Sequence, residues 1–507
     1  MDGHSRGLGA AAAAGRRTVL PPLLIGSGVV FLLAGELFSG TTLYFALMMA
    51  LAVLFACVTY NILGGLGTIS GIAFTRFALS TLVISQFGKV FLFEKADAYI
   101  DVPQLTITVY AVYYGCLMLG TFVFSRLRLP LPKPAEPETE AQSRYLYVAS
   151  LIGGIAGTLG ELLVAPTSLT HGFARALAYL LPFSLVLAVD NRIRNTGGQH
   201  SFGWKALWPT LGIMLPGLIL SSRTGFVEPL AIIAVTCYLR DYKFRRRHIA
   251  AAILASVVFF FFVSPFLLYS RSTRDEATVG EVASAMIRTV EAAPSQWGVI
   301  TSRVGEEALA SPGTVNYFSS PGAVTLNRFA LIGPDSTLIN ACATGFHYGF
   351  TSIKLDILTE IPRFLDPNKS AIGSNGYLGH LDGMESDVFE TTNSAITPIS
   401  DSYGAFSWIG VMVFPFLVMP VIFVVYESMF KMQTPWGTVA TALLLFSLTE
   451  GSMGQKLTVS LIKDPAYVLI LSWCAAWIVK LIPVTGDRAV TVRKDGHRPF
   501  AAGAIGD

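Results

Sequence analysis

Arg363 and Lys369 stand on ILTEIPRFLDPNKS, the segment from Ile357 to Ser370, which carries two prolines and lies in a stretch that no membrane helix can claim. A second isolated cation, Arg223, falls in LILSSRTGFVEP, a tight turn between two apolar runs. A guanidinium presents a planar fork that grips phosphate oxygens in pairs, so cations held this way suit a phosphate or pyrophosphate ligand. Arg223 admits two readings. It either snorkels to headgroup phosphates or is held at the mouth of a helix bundle to grip such a ligand, with Gly225 leaving room for a headgroup near the backbone. Four acids, Glu36, Glu161, Glu228 and Glu450, lie near helix ends on the same side. A polar cavity opening outward accounts for all four.

Other chemistries lack their residues. There is no HExxH, no GxSxG, no Walker loop and no Asp-rich metal pattern. The acidic run DGMESDVFE, from Asp382 to Glu390, lacks the ligand spacing of a calcium loop and reads as a solvated face. Cys57, Cys116, Cys237 and Cys474 lie in apolar segments and Cys342 lies outside them, a distribution that gives neither a disulfide framework nor a zinc site. Arg16 and Arg17 before an apolar run suggest an export signal, but no small-residue cleavage site follows, so the segment reads as an uncleaved first helix.

The elements that must position these residues are membrane helices. Of 507 residues, 52% are hydrophobic and only 14% charged, well below the quarter usual in soluble domains. A net charge of +3 over this length gives no argument for nucleic acid. Apolar runs long enough for a hydrocarbon core of about 30 Å fall near 19–38, 41–60, 69–92, 103–124, 146–165, 173–190, 205–221, 224–240, 249–269, 403–428, 436–450 and 464–483. The third is interrupted by Gly-rich sequence and Arg76, and the eleventh is short. The expected fold is an all-α polytopic membrane protein of about twelve spans, organised as 1–270 (nine spans), 271–402 (a long extracytoplasmic loop) and 403–507 (three spans and a tail).

Lys and Arg in short loops set the orientation. Arg126, Arg128, Lys133 and Arg144, then Arg192, Arg194 and Lys205, then Lys243 and Arg245 to Arg247, all fall on one side of this threading, which is therefore cytoplasmic together with both termini. Within the long loop two amphipathic helices are expected, from the spacing of Val279, Val282, Met286 and Val290 and of Phe350, Ile353, Ile357 and Ile361, the second stopped by Pro362.

NRFALIGPDSTLINACATGFHYGF, then IPRFLDPNKS, then ITPISDSYGAFSWIGVMVF occur in an order that resembles the Wzy-type O-antigen or exopolysaccharide polymerases, the oligosaccharide repeat-unit polymerases. The turn with Ser222, Arg223 and Gly225 matches as well, and the resemblance spans roughly Leu211 to Phe416. It departs at Asp366, an acid between the two loop cations, and at Asp401, where a Glu is usual. The resemblance implies a GT-C-like membrane glycosyltransferase of the bacterial cytoplasmic membrane. Such an enzyme transfers an undecaprenyl-diphosphate-linked chain to a fresh repeat unit at the outer face. It implies no cofactor or metal, lipid-linked glycans as substrates, and a chain-length regulator and a flippase as partners.

On that reading Arg223, Arg328, Arg363 and Lys369 stabilise the departing diphosphate. His347, in TGFHYGF, is the first candidate for the base, because imidazole takes up a proton near neutral pH, and Asp401 is the second. His171 and His380 are weaker candidates, and Tyr348, Tyr377 and Trp408 offer rings for sugar stacking. Two other classes remain open: a ligase that moves a finished glycan to another acceptor, or another lipid-linked glycosyltransferase, and a flippase or transporter. A flippase should carry charge at mid-membrane, whereas the charges here read as clustered at the outer ends of helices.

Overall fold

The computed structural model describes residues 18–137, 140–164, 169–219, 224–240, 242–259, 330–361 and 396–481 except 450, with isolated positions at 263, 284, 287, 288, 291, 317, 318, 366, 377 and 378. Among them every regular element is a helix. Seven helices are long and apolar enough to cross a membrane: Leu43–Gly67, Ile69–Phe91, Pro103–Phe124, Ala141–Leu163, Thr170–Asn195, Pro398–Met429 and Met453–Ile478. These correspond to the expected second to sixth, tenth and twelfth spans. We number the helices α1 (Pro22–Phe38), α2 (Leu43–Leu63), α3 (Ile69–Phe91), α4 (Pro103–Phe124), α5 (Glu140–Leu163), α6 (Thr170–Asn195), α7 (Trp204–Ile219), α8 (Thr224–Leu239), α9 (Arg246–Val258), α10 (Ile332–Ala343), α11 (Thr351–Glu360), α12 (Pro398–Met429), α13 (Pro435–Ser447) and α14 (Met453–Ile478).

Local chemistry sets many of the ends. Pro22, Pro103, Pro398 and Pro435 open their helices, where a missing N–H costs nothing and φ is already helical. Thr434 caps α13 by accepting from the Gly437 amide, and Gly64 at φ +90 ends α2 in the left-handed region. The remaining expected spans are less regular. Helix α7 has 16 residues with Pro209 and Pro216 inside it, and α1, α8 and α13 are apolar helices of 17 residues or fewer among the described residues. The expected amphipathic helix at Val279–Val290 lies outside the described residues, as does most of the long loop.

Packing follows membrane rules, in which small residues let backbones meet. A Cβ on Gly120 of α4 would fall 2.1 Å from the Phe416 carbonyl oxygen, so α4 and α12 touch main chain to main chain. Elsewhere in the bundle Phe183 of α6 stacks on Trp436 of α13 with centroids 3.6 Å apart.

The three basic segments meet at one end of the bundle. The Leu129 amide donates to Ser428, Trp436 Nε1 to the Ala135 carbonyl, the Lys243 amide to Gly198, and Arg240 pairs with Asp190 at 2.6 Å. The segment 94–101 lies at the opposite end. There Tyr317 Oη donates to Ala96, and the Asp101 amide donates to Ser336 of α10.

Helix α11 forms where the spacing predicts it, with Phe350 and Ile357 72% and 51% exposed and Ser352 and Asp356 buried. Its polar side faces inward, the inverse of a helix laid on a water-facing core.

Candidate functional site

One membrane helix is broken, and its break meets a second interruption, between α13 and α14. Inside α12, Phe406 (φ −134, ψ 19) and Ser407 (φ 53, ψ −142) leave helical geometry. Unpaired backbone groups are costly within a bilayer, so freed carbonyls must find donors. The loop after α10 supplies them. The Tyr348 amide donates to Gly404 O at 3.3 Å, the Gly349 amide to Ala405 O at 3.1 Å, and His347 Nδ1 lies 3.2 Å from Gly404 O. Position 404 requires glycine here, because a Cβ would sit 2.6 Å from the Tyr348 ring.

The second break separates α13 from α14, around Gly451 at φ +108. Ser452 caps α14 and donates to the buried Asp356 carboxylate, while the Met453 amide donates to Asp401 Oδ2 at 2.5 Å. Gly454 leaves no room for a Cβ beside Asp356. Two carboxylates from two other helices thus cover the positive N-terminal end of α14. The C-terminal end of α13 receives cations in the same way. Arg76 of α3 donates to Leu445 O at 2.9 Å with its guanidinium 4.4 Å above the Phe446 ring, and Lys456, fully buried, donates to Ser447 O.

Of the residues singled out in the sequence, five assemble here. Tyr348 Oη donates to Asp401 Oδ1 at 2.6 Å and lies 3.1 Å from the Asp401 main-chain oxygen, and Ser352 Oγ lies 3.5 Å from Oδ2. Tyr377 meets Tyr348 edge-on at 6.3 Å, His347 meets Tyr403 at 5.9 Å, and Tyr403 meets Trp408 at 5.7 Å. Since a carbonyl only accepts, the contact with Gly404 O is a hydrogen bond when Nδ1 carries the ring proton, the tautomer whose lone pair is on Nε2.

The geometry revises two roles. Asp401 is fully buried with donors on both oxygens, so it is a strut that fixes Tyr348 and the start of α14 rather than an open base. Tyr348 is buried behind Gly404 and Tyr377, so its ring offers no sugar platform, whereas Trp408 is 36% exposed. Burial and the Asp401 carboxylate push the Tyr348 phenol well above its usual pKa, which keeps it a donor. His171 is elsewhere, its Nδ1 3.2 Å from Val164 O. Arg223, Arg328, Arg363, Lys369, His380, Glu450 and the run 382–390 lie outside the described residues. Of the three remaining acids, Glu36 is buried, Glu161 lies 3.9 Å from Arg175 and Glu228 is half-buried.

Three further features have no role in the sequence reading. Asp335 of α10 accepts from Tyr110 Oη (2.5 Å), Thr397 N (3.0 Å), Thr397 Oγ1 (2.5 Å) and Ser400 Oγ (2.6 Å), which ties α10 to α4 and to the start of α12. Burial raises the Asp335 pKa while these donors pull it down. Lys89 pairs with Glu94 at 2.8 Å and lies 4.5 Å from the centre of the Tyr317 ring. The pair Arg76 and Lys456 places charge inside the bundle, against the expectation that charges stay at helix ends. Arg76 was visible as an interruption in an apolar run. Lys456 was hidden by the later start expected for the last span. No family model matches the chain, and neither a curated protein nor a solved structure does.

Proposed function

We propose that this protein is a membrane-embedded glycosyltransferase that polymerises undecaprenyl-diphosphate-linked repeat units at the outer face of the bacterial cytoplasmic membrane. The observation that carries the reading is the convergence of His347, Tyr348, Tyr377, Asp401 and Trp408 on the break in α12. In the reaction the acceptor hydroxyl oxygen bonds to the anomeric carbon of the donor sugar as the bond from that carbon to the diphosphate oxygen breaks. The hydroxyl proton passes to His347 Nε2. The diphosphate departs with the bonding electrons, its charge met by Arg223, Arg328, Arg363 and Lys369. Asp401 and Tyr348 hold the His347 loop, and Trp408 offers the nearby apolar face for a sugar ring.

Deleting the gene and analysing the surface glycan tests this. Loss of a polymerase leaves single repeats on their final acceptor. Long chains stranded on the carrier lipid would indicate a ligase instead. A second reading, a flippase for lipid-linked glycans, is favoured by Arg76 and Lys456 on the broken-helix carbonyls, an arrangement also suited to an anionic cargo crossing the bundle. Loss of a flippase leaves repeat units on the cytoplasmic leaflet and no surface product of either length.

A further inference from the structure

We propose that the basic end of the bundle carries a built site for an anionic phospholipid, separate from the reaction centre and independent of what that centre does. Its floor is the loop 196–203. Thr196 Oγ1 accepts from the His200 amide at 3.0 Å, the Gly198 carbonyl accepts from the Lys243 amide at 3.1 Å, and Gln199 Oε1 accepts from Arg245 Nη2 at 3.2 Å. On the other flank the Arg192 side chain lies over Gly203, with its Nε 3.7 Å from where a Cβ would stand. Lys205 adjoins it, its carbonyl fixed by Tyr147 Oη at 2.8 Å.

The result is an array of exposed cations, Arg192, Lys205, Lys243 and Arg245, on a hydrogen-bonded backbone around a floor without acidic residues. Among the described residues no ion pair engages these four. Among the described residues the neighbouring carboxylate is Asp190, which is committed to Arg194 at 2.9 Å and to Arg240 at 2.6 Å. Charge alone would suit any anion, but the surface continues into a lipid-facing stripe. Trp204, Trp208, Leu211 and Leu215 of α7 are all exposed at helical spacing, while Ala206, Thr210 and Ile213 turn inward. A headgroup phosphate on the cations with an acyl chain along that stripe satisfies both halves at once, which a soluble anion does not.

The test uses full-length protein in neutral detergent, titrated with phosphatidylglycerol or phosphatidylcholine bearing brominated acyl chains, and reads tryptophan quenching. Phosphatidylglycerol should quench at much lower mole fraction. Trp208→Phe should reduce the amplitude without changing the midpoint. Each cation removed should weaken binding about fivefold, so Arg192→Gln, Lys205→Gln, Lys243→Gln and Arg245→Gln combined should lose two or more orders of magnitude while leaving phosphatidylcholine unaffected. Should the combined variant not fold, Lys205→Gln alone and the weakening of wild-type binding by salt read the same term. Equal binding of the two lipids, an unchanged midpoint in the variants, or displacement by inorganic phosphate at the lipid's own concentration would each overturn the proposal.

Discussion

Asp401→Asn and Asp401→Ala separate a strut from a base. In the wild type Oδ2 accepts from Met453 N (2.5 Å) and faces Ser352 Oγ (3.5 Å), while among the described residues Oδ1 accepts from Tyr348 Oη alone (2.6 Å). An asparagine can place its amide oxygen at the Oδ2 position and keep the Met453 bond. Its NH2 then faces Tyr348, whose hydroxyl already lies 3.1 Å from the Asp401 main-chain oxygen, so it can turn its proton there and accept from the amide. The net loss is about 1 kcal/mol, the difference between a charge-assisted and a neutral hydrogen bond. Alanine removes both carboxylate oxygens and strands the Met453 amide in the interior, while the Tyr348 hydroxyl keeps only the main-chain oxygen of residue 401. At ~1–3 kcal/mol for the stranded donor and about 1 kcal/mol for the lost Tyr348 bond, the loss is roughly 2–4 kcal/mol. Asparagine should therefore unfold within a few degrees of wild type in detergent and retain most polymer on a glycan gel. Alanine should lose abundance and polymer together. If asparagine accumulates and unfolds like wild type but makes no polymer, Asp401 exchanges a proton with substrate and the strut assignment is wrong.

Further outcomes follow from other contacts. Gly404→Ala pushes a methyl to within 2.6 Å of the Tyr348 ring, so the loop carrying His347 must shift, and polymer should fall at least tenfold with abundance preserved; a wild-type glycan profile would show that the loop position is irrelevant to the reaction. Glu136, in the strap between α4 and α5, is pushed up to about 7 by burial, against the pull of Thr434, the Trp436 amide, Arg240 and Lys431. The folded state therefore holds this proton more tightly than the unfolded chain does, and stability falls as pH rises from about 4.5 through about 7. Glu136→Gln should raise the unfolding temperature at pH 8 but not at pH 4.5, and the reverse pattern would contradict the burial argument. Arg223→Lys and Arg363→Lys keep charge but lose the paired fork, so each should cost polymer formation about one to two orders of magnitude at normal abundance. Wild-type polymer from both variants would reduce these arginines to interface anchors.

Sequence and structure agree where apolar length and a strong boundary coincide. Helix α4 runs Pro103–Phe124 as read, because Pro103 opens it and Arg126 and Arg128 follow its end. They diverge where tertiary partners neutralise a residue that reads as polar. The last span was expected from 464, yet its helix begins at Met453, because Lys456 is satisfied by Ser447 O and Lys463 by Glu360 at 2.7 Å. The tenth span begins at Pro398 rather than near 403, since Ser400 and Asp401 have buried partners that hydropathy cannot register. For α11 the spacing was legible but its direction was not: the same stripe fits a helix with apolar residues inward in water or outward toward lipid. The break at Ser407 left no signal at all, since FSW contains neither glycine nor proline and the bend is held by a loop more than fifty residues earlier in the chain.

That loop makes the break in α12 behave as a lock whose bolt is the backbone itself. Withdrawing 347–349 would bare the carbonyls of Gly404 and Ala405 inside the bundle and strip His347 of its main-chain partner. Opening is therefore uphill unless a visitor brings its own donors. Hydroxyls arrayed on a sugar ring are suited to that substitution, and hydrocarbon is not. Selection for a polyol over the surrounding lipid would thus follow from main-chain arithmetic, before any side chain had read which sugar arrived.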